Sequence, residues 1–130
     1  MATLISWNCR GVHRNLLDIK SIINAYDPVC LGIQETNLKP EQQAKLRRFT
    51  FLRKENLAGE RASGAVALLT SLDYPSNSLS LTTSLQVVGI QANFHIVVSV
   101  ISLYLPPNEH IDQHDLNDLI EQLPVPFIIL

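Results

Sequence analysis

Three polar side chains stand at the ends of apolar runs: Asn8 after Leu4-Ile5-Ser6-Trp7, Glu35 after Val29–Gln34, and Tyr104 after the β-branched run Ile96–Ile101 and Ser102-Leu103. A carboxylate beside an amide suits a hard divalent cation such as Mg²⁺ or Mn²⁺. Mg²⁺ typically takes one or two protein carboxylates and fills its other positions with water and substrate phosphate. Glu35 and Asn8 are therefore the metal candidates, and the phenol of Tyr104 can donate to a phosphoryl oxygen. Such a set fits metal-assisted phosphodiester hydrolysis, in which the cation stabilises charge on the phosphorane and the leaving oxygen. No other residue is an obvious base for activating water. His13, His95, His110 and His114 fall on loops, a hairpin and a helix start, and each reads as an ordinary surface histidine.

Each candidate also has a plain alternative. Asn8 can cap the turn at Arg10-Gly11. Glu35 can be a strand-end surface charge or the first-turn carboxylate of a nearby helix. Tyr104 can be a core residue with its hydroxyl at the rim. Only their joint arrangement lifts the chemical reading above these, so the elements that position them matter.

Thr3–Cys9 reads as a mostly apolar strand ended by the turn Arg10-Gly11. Trp7 there reads as packing rather than base stacking. With Asn15 as N-cap, Leu16, Ile19, Ile23 and Tyr26 recur at helical spacing, Leu17 and Ile22 widen the stripe, and Asp27-Pro28 ends the helix. Val29–Gln34 is nearly continuously apolar, as expected of a strand covered on both faces. Strand, helix and strand make a βαβ unit, whose right-handed crossover sets the strands parallel and brings Asn8 and Glu35 to one sheet edge. Ligands of open α/β sheets bind at such carboxyl ends.

Further on, Pro40–Arg48 is expected to be a short exposed helix and Phe49–Lys54 an edge strand. The Arg47-Arg48 and Arg53-Lys54 pairs read as solvated charge rather than phosphate contacts. Leu57–Ser63 reads as a polar loop, Gly64–Leu69 as a buried strand, and Tyr74–Ser80 as loop. Leu85–Phe94 and His95–Leu103 are strand-like, with a hairpin around Ala92–His95. A helix capped by Asp112 carries Leu116, Leu119, Ile120 and Leu123 on one face up to Pro124, and Phe127–Leu130 is another buried strand. This second strand–helix–strand unit is expected to aim its last strand at the same edge as Tyr104.

The 130 residues are 46% hydrophobic and 17% charged with net charge -2, a globular balance that excludes binding nucleic acid through a wholesale basic surface. Any such contact must be local or helped by a bound cation. Cys9 and Cys30 lack metal-site or Cys-x-x-Cys spacing and read as small buried hydrophobes in strands. No stretch reaches the roughly 20 apolar residues of a membrane span, and no signal peptide opens the chain, so an intracellular protein without membrane or obligate protein partners is expected.

Trp7-Asn8-Cys9-Arg10-Gly11, Gln34-Glu35-Thr36 and Ser102-Leu103-Tyr104-Leu105-Pro106 resemble, in order and spacing, motifs of the endonuclease/exonuclease/phosphatase superfamily. The wording is most similar to the apurinic-like endonuclease domain of non-LTR retrotransposons. Arg61–Leu69 is similar to that family's glycine-flanked strand, although Ser63-Gly64 stands where a double glycine is common. The resemblance implies an α/β fold, the N-terminal part of a four-layer α/β sandwich. It also implies Mg²⁺ (or Mn²⁺) held by Glu35 with Asn8 assisting, a phosphate contact from Tyr104, DNA as substrate and action in the nucleus.

In relatives the strand matching Phe127–Leu130 leads into a Gly-Asp-x-Asn sequence, and a Ser-Asp-His motif follows later; neither occurs in residues 1–130. The chain also halts inside an apolar strand before any turn. The expectation is therefore a single incomplete domain over 1–130, a fragment of a Mg-dependent endonuclease that is inactive alone. A phosphatase or lipid phosphodiesterase of the same superfamily, sharing Asn8, Glu35 and the metal, is the second reading. A non-catalytic remnant is the third.

Overall fold

The computed structural model describes residues 2–39, 41–54, 65–105 and 110–130. Among these described residues eight strands and two helices follow one another as β1 (Leu4–Asn8), α1 (Leu16–Tyr26), β2 (Cys30–Gln34), β3 (Phe49–Arg53), β4 (Val66–Ser71), β5 (Ser76–Ser78), β6 (Gln86–Asn93), β7 (Val97–Tyr104), α2 (Gln113–Gln122) and β8 (Phe127–Ile129). They form two four-stranded sheets, ordered β1-β2-β4-β3 and β5-β6-β7-β8.

Alternation decides which way each strand faces. In the first sheet Leu31, Ile33 and Leu69 turn outward with Ile5 and Trp7 and pack against Ile19, Leu16 and Ile23 of α1. Cys30, Val66 and Leu68 turn inward onto Val88, Ile90, Val98 and Val100 of the second sheet. The outer face of that sheet, with Val87 and Ile101, is covered by Leu119 and Leu123 around α2. Helix, sheet, sheet and helix thus make four layers. The central strands β2 and β4 are buried along their whole length, which is why their sequences are continuous apolar runs rather than alternating ones.

Both expected strand–helix–strand units are present, with β1 parallel to β2 and β7 parallel to β8. The expected edge strand is β3, and the hairpin joins β6 to β7 with His95 in the left-handed region at its turn. Asp112 caps α2 by accepting from the His114 amide at 3.0 Å.

Several expectations are corrected. Residues 41–48 contain no helix; Ala44 and Leu46 instead tuck into the core beside α1. Tyr74–Ser80 is not all loop, because Ser76–Ser78 adds to β6 as a short edge strand through backbone pairing, which no apolar alternation announces. The α1 stripe is narrower than its periodicity implies, since Leu17 is 78% and Tyr26 63% exposed. Asn15 occupies the N-cap position without accepting from the helix. Cys9 is buried but lies just beyond β1. β8 is an edge strand with Ile128 and Ile129 about two-fifths exposed, not a buried one. The expected loop at Leu57–Ser63, the Arg61–Gly64 part of the glycine-flanked strand, and Pro106-Pro107-Asn108 lie outside the described residues.

Candidate active site at the carboxyl ends of the strands

β1, β2 and β7 deliver Asn8, Glu35 and Tyr104 to one end of the sandwich. The Tyr104 hydroxyl donates to Glu35 Oε1 at 3.0 Å, joining residues 69 apart in sequence across the two sheets. Asn8 pairs in register with Gln34, one residue short of Glu35. Its exposed amide makes no hydrogen bond to either partner among the described residues.

Glu35 leaves β2 with φ 54°, in the left-handed region that a side chain with a Cβ enters at a cost of about 1–2 kcal/mol. The neighbouring loop holds it there. Cys9 N donates to Gln34 O, Gly11 N to Glu35 O at 2.8 Å and Val12 N to Thr36 O at 2.9 Å, while Thr36 N reaches Ala65 O. The parallel ladder thus runs on past both strands, and Gly11 supplies the φ of 115° that the turn needs. Asn15 donates to Cys9 O at 2.6 Å and to Gly11 O at 3.2 Å, so its amide fastens the site loop to α1. Non-glycine residues held in this region concentrate at functional sites.

One residue before Glu35, Gln34 is buried and bridges the sheets. Its Nε2 donates to Ser102 Oγ at 3.3 Å and to Ser6 Oγ at 3.4 Å. Sequence reading passed over these three, although an amide inside a fully buried strand must find partners and so signals a cross-sheet contact. Arg53-Lys54 is also not plain solvated charge: Lys54 Nζ donates to Leu85 O, tying the end of β3 to the start of β6, and Arg53 donates to Lys39 O at 3.2 Å. Arg48 pairs with Asp73 at the opposite end of the first sheet, exposed to solvent. Burial raises the Cys9 thiol pKa, with the Glu35 charge adding to the shift, and pushes that of Cys30 up to about 11. Both are poor nucleophiles at neutral pH. All four histidines are exposed, as expected.

The arrangement can accept a hard cation. Glu35 is half-buried, and among the described residues its side-chain partner is a neutral phenol and no ion pair neutralises it. A carboxylate so placed beside an amide-bearing strand end is donor chemistry for a divalent ion that keeps most of its water. No group of three or more His, Cys, Asp or Glu able to enclose a metal occurs among the described residues.

Residues 5–130 match the Endonuclease/Exonuclease/phosphatase family, and the chain belongs to it. Solved structures show the same fold. The endonuclease domain of TRAS1, a telomere-specific non-LTR retrotransposon, superposes with a TM-score of 0.69 at 13% identity, covering 90% of this chain and 52% of that one. An AP endonuclease from Archaeoglobus fulgidus gives 0.58 at 15% identity, covering 93% and 48%. The 3′ phosphatase NExo from Neisseria, bound to product DNA hairpin, gives 0.56 at 17% identity, covering 91% and 47%. The chain spans about half the length of these solved relatives. No curated protein is similar to it in sequence at a significant level. No helix among the described residues is long and apolar enough to cross a membrane.

Proposed function

We propose that the chain carries the metal-binding part of the active site of a Mg²⁺-dependent DNA endonuclease, of the kind that nicks a chromosomal target for retrotransposition. The observation that carries this reading is the Tyr104–Glu35 hydrogen bond at 3.0 Å, which puts a carboxylate and a phenol from different sheets at one strand-end site. Glu35 and Asn8 would hold Mg²⁺ or Mn²⁺, which when bound supplies charge neutralisation at the phosphodiester. Tyr104 orients the carboxylate in the free protein and offers its hydroxyl to a phosphoryl oxygen when substrate is present. The likeness to the TRAS1 domain supports DNA as the substrate, and nuclear action follows from that reading. In this reading residues 1–130 belong to one longer domain, a view supported by their covering about half the length of the solved relatives.

Titration calorimetry with Mg²⁺ tests the site. Weak binding is expected, reduced at least about tenfold by Glu35→Gln and unchanged by Arg47→Ala, which lies at the far end of the sheet. Equal affinity in all three proteins would overturn the assignment. The isolated chain is expected not to nick supercoiled plasmid in Mg²⁺; Glu35-dependent nicking would show that it is catalytically complete. A phosphatase of the same family is the second reading, favoured by the likeness to the neisserial 3′ phosphatase. Release of phosphate from a 3′-phosphorylated oligonucleotide, without nicking by any longer form, would select it.

A further inference from the structure

A cavity of about 280 Å³ opens beside Tyr104 between the start of β6, the end of β7 and the start of α2. Leu85, Gln86, Tyr104, His110, Ile111 and Asp115 line it. It shares Tyr104 with the strand-end site, so a chain whose phosphate lies at Glu35 has a neighbouring nucleotide within reach of this cleft. We propose that the cleft is a nucleobase subsite selective for guanine in a DNA strand; the proposal rests on the DNA reading above.

Two carboxylates, Asp115 and, just beyond Tyr104, Glu35, face the cleft against one ammonium, that of Lys54 on the Leu85 carbonyl, so the balance of charge disfavours a phosphate there. What fits is the neutral, hydrogen-bonding part of a nucleotide. Asp115 offers two acceptor oxygens and pairs with no cation among the described residues. Gln86 offers a donor: its Oε1 accepts from Ala65 N at 2.8 Å, which fixes the amide's orientation and leaves Nε2 as the end available to a ligand. Ile111 supplies apolar surface for the base, and the exposed His110 imidazole can stack on it.

Two acceptors and one donor match the guanine edge, where N1–H and the N2 amine point together at a carboxylate and O6 lies next to them. Thymine sets its one N–H between two carbonyl oxygens that a carboxylate repels. Cytosine and adenine place a ring acceptor beside their amine, so only one carboxylate oxygen is satisfied. The cleft thus discriminates by the second hydrogen bond to Asp115.

The probes are the single-stranded pentamers d(TTGTT) and d(TTITT), in which inosine lacks only the N2 amine, titrated in Mg²⁺ against the 130-residue chain. The guanine pentamer is expected to bind about fivefold tighter or more. Asp115→Asn should abolish that ratio. Asp118→Asn, a change of the same charge on the same helix away from the cleft, should keep it. Equal binding of the two pentamers, a preference that survives Asp115→Asn, or no binding of either at millimolar concentration would each overturn the proposal. Glu35→Gln separates the two readings. If it weakens both pentamers alike and leaves the ratio, both stand; if it changes neither affinity while the ratio persists, the subsite stands and the metal-site reading falls.

Discussion

At the scale of single residues, Glu35 combines a strained backbone with a cross-sheet hydrogen bond, and the two effects can be separated. At φ 54° a Cβ is costly whatever the side chain does. Glu35→Gly is therefore expected to be more stable than Glu35→Ala by about 1 kcal/mol, read from urea midpoints at equal slopes. Equal midpoints would mean that the chain relaxes out of the left-handed region at no cost. Loss of the phenol should matter in the other direction: Tyr104→Phe leaves Glu35 without its donor and is expected to cost about 1 kcal/mol. Glu35 was legible in the sequence because a charge ends an apolar run, and Tyr104 because a phenol follows a β-branched one. Gln34, Ser6 and Ser102 were not, since their meeting depends on how two sheets stack, and no periodicity within one strand encodes that.

At the scale of elements, the approach of the two sheets is set by Gly32 in β2. A Cβ there would meet Leu130 Cβ and Cδ1 at 3.1 Å and Ser102 Oγ at 3.2 Å. Gly32→Ala should force Leu130 and Ser102 outward and lower stability by about 1–3 kcal/mol, seen as a fall in Tm. The Gln34–Ser102 bridge lies one residue pair further on and should loosen with it. Cys30, in the same strand and fully buried, gives a pH dependence. Its thiol is pushed up to about 11 in the fold against 9.0 as its ordinary value. The unfolded chain therefore releases this proton first as pH rises. Stability should be level below about pH 9, fall between about pH 9 and 11 by roughly 2–3 kcal/mol, and level off above that. In Cys30→Ala that part of the fall should disappear from the urea midpoints. The sequence marks β2 as a buried strand, yet the partner that each of its inward positions meets is a product of sheet stacking. The missed strand β5 has a similar origin, since Ser-Asn-Ser pairs only through its backbone and shows no alternation.

At the scale of the whole molecule, the layers cover one another unevenly. β2 lies over β7 and β4 over β6, so the edge strands β1 and β8 fall on the same flank of the sandwich. Apolar surface collects beside β8: Val125 is 81%, Ile128 40% and Ile129 39% exposed. Unpaired edges with exposed apolar residues favour association. The chain is expected to self-associate in sedimentation at micromolar concentration, and Ile129→Lys to shift it toward monomer without lowering Tm. A wild-type monomer with a sharp transition would sink this expectation. The βαβ units and their directions were readable from periodicity and connection length, because both are properties of consecutive segments. The edge position of β3 was readable too, but that of β8 was not, because β8 is as apolar in sequence as the strands that are buried.

The shared flank also limits what can cover it. One added strand pairs with β1 or with β8 and leaves the other sheet as open as before, with its backbone donors and acceptors still in water. Anything that covers the whole flank must extend both sheets, so it brings at least two strands.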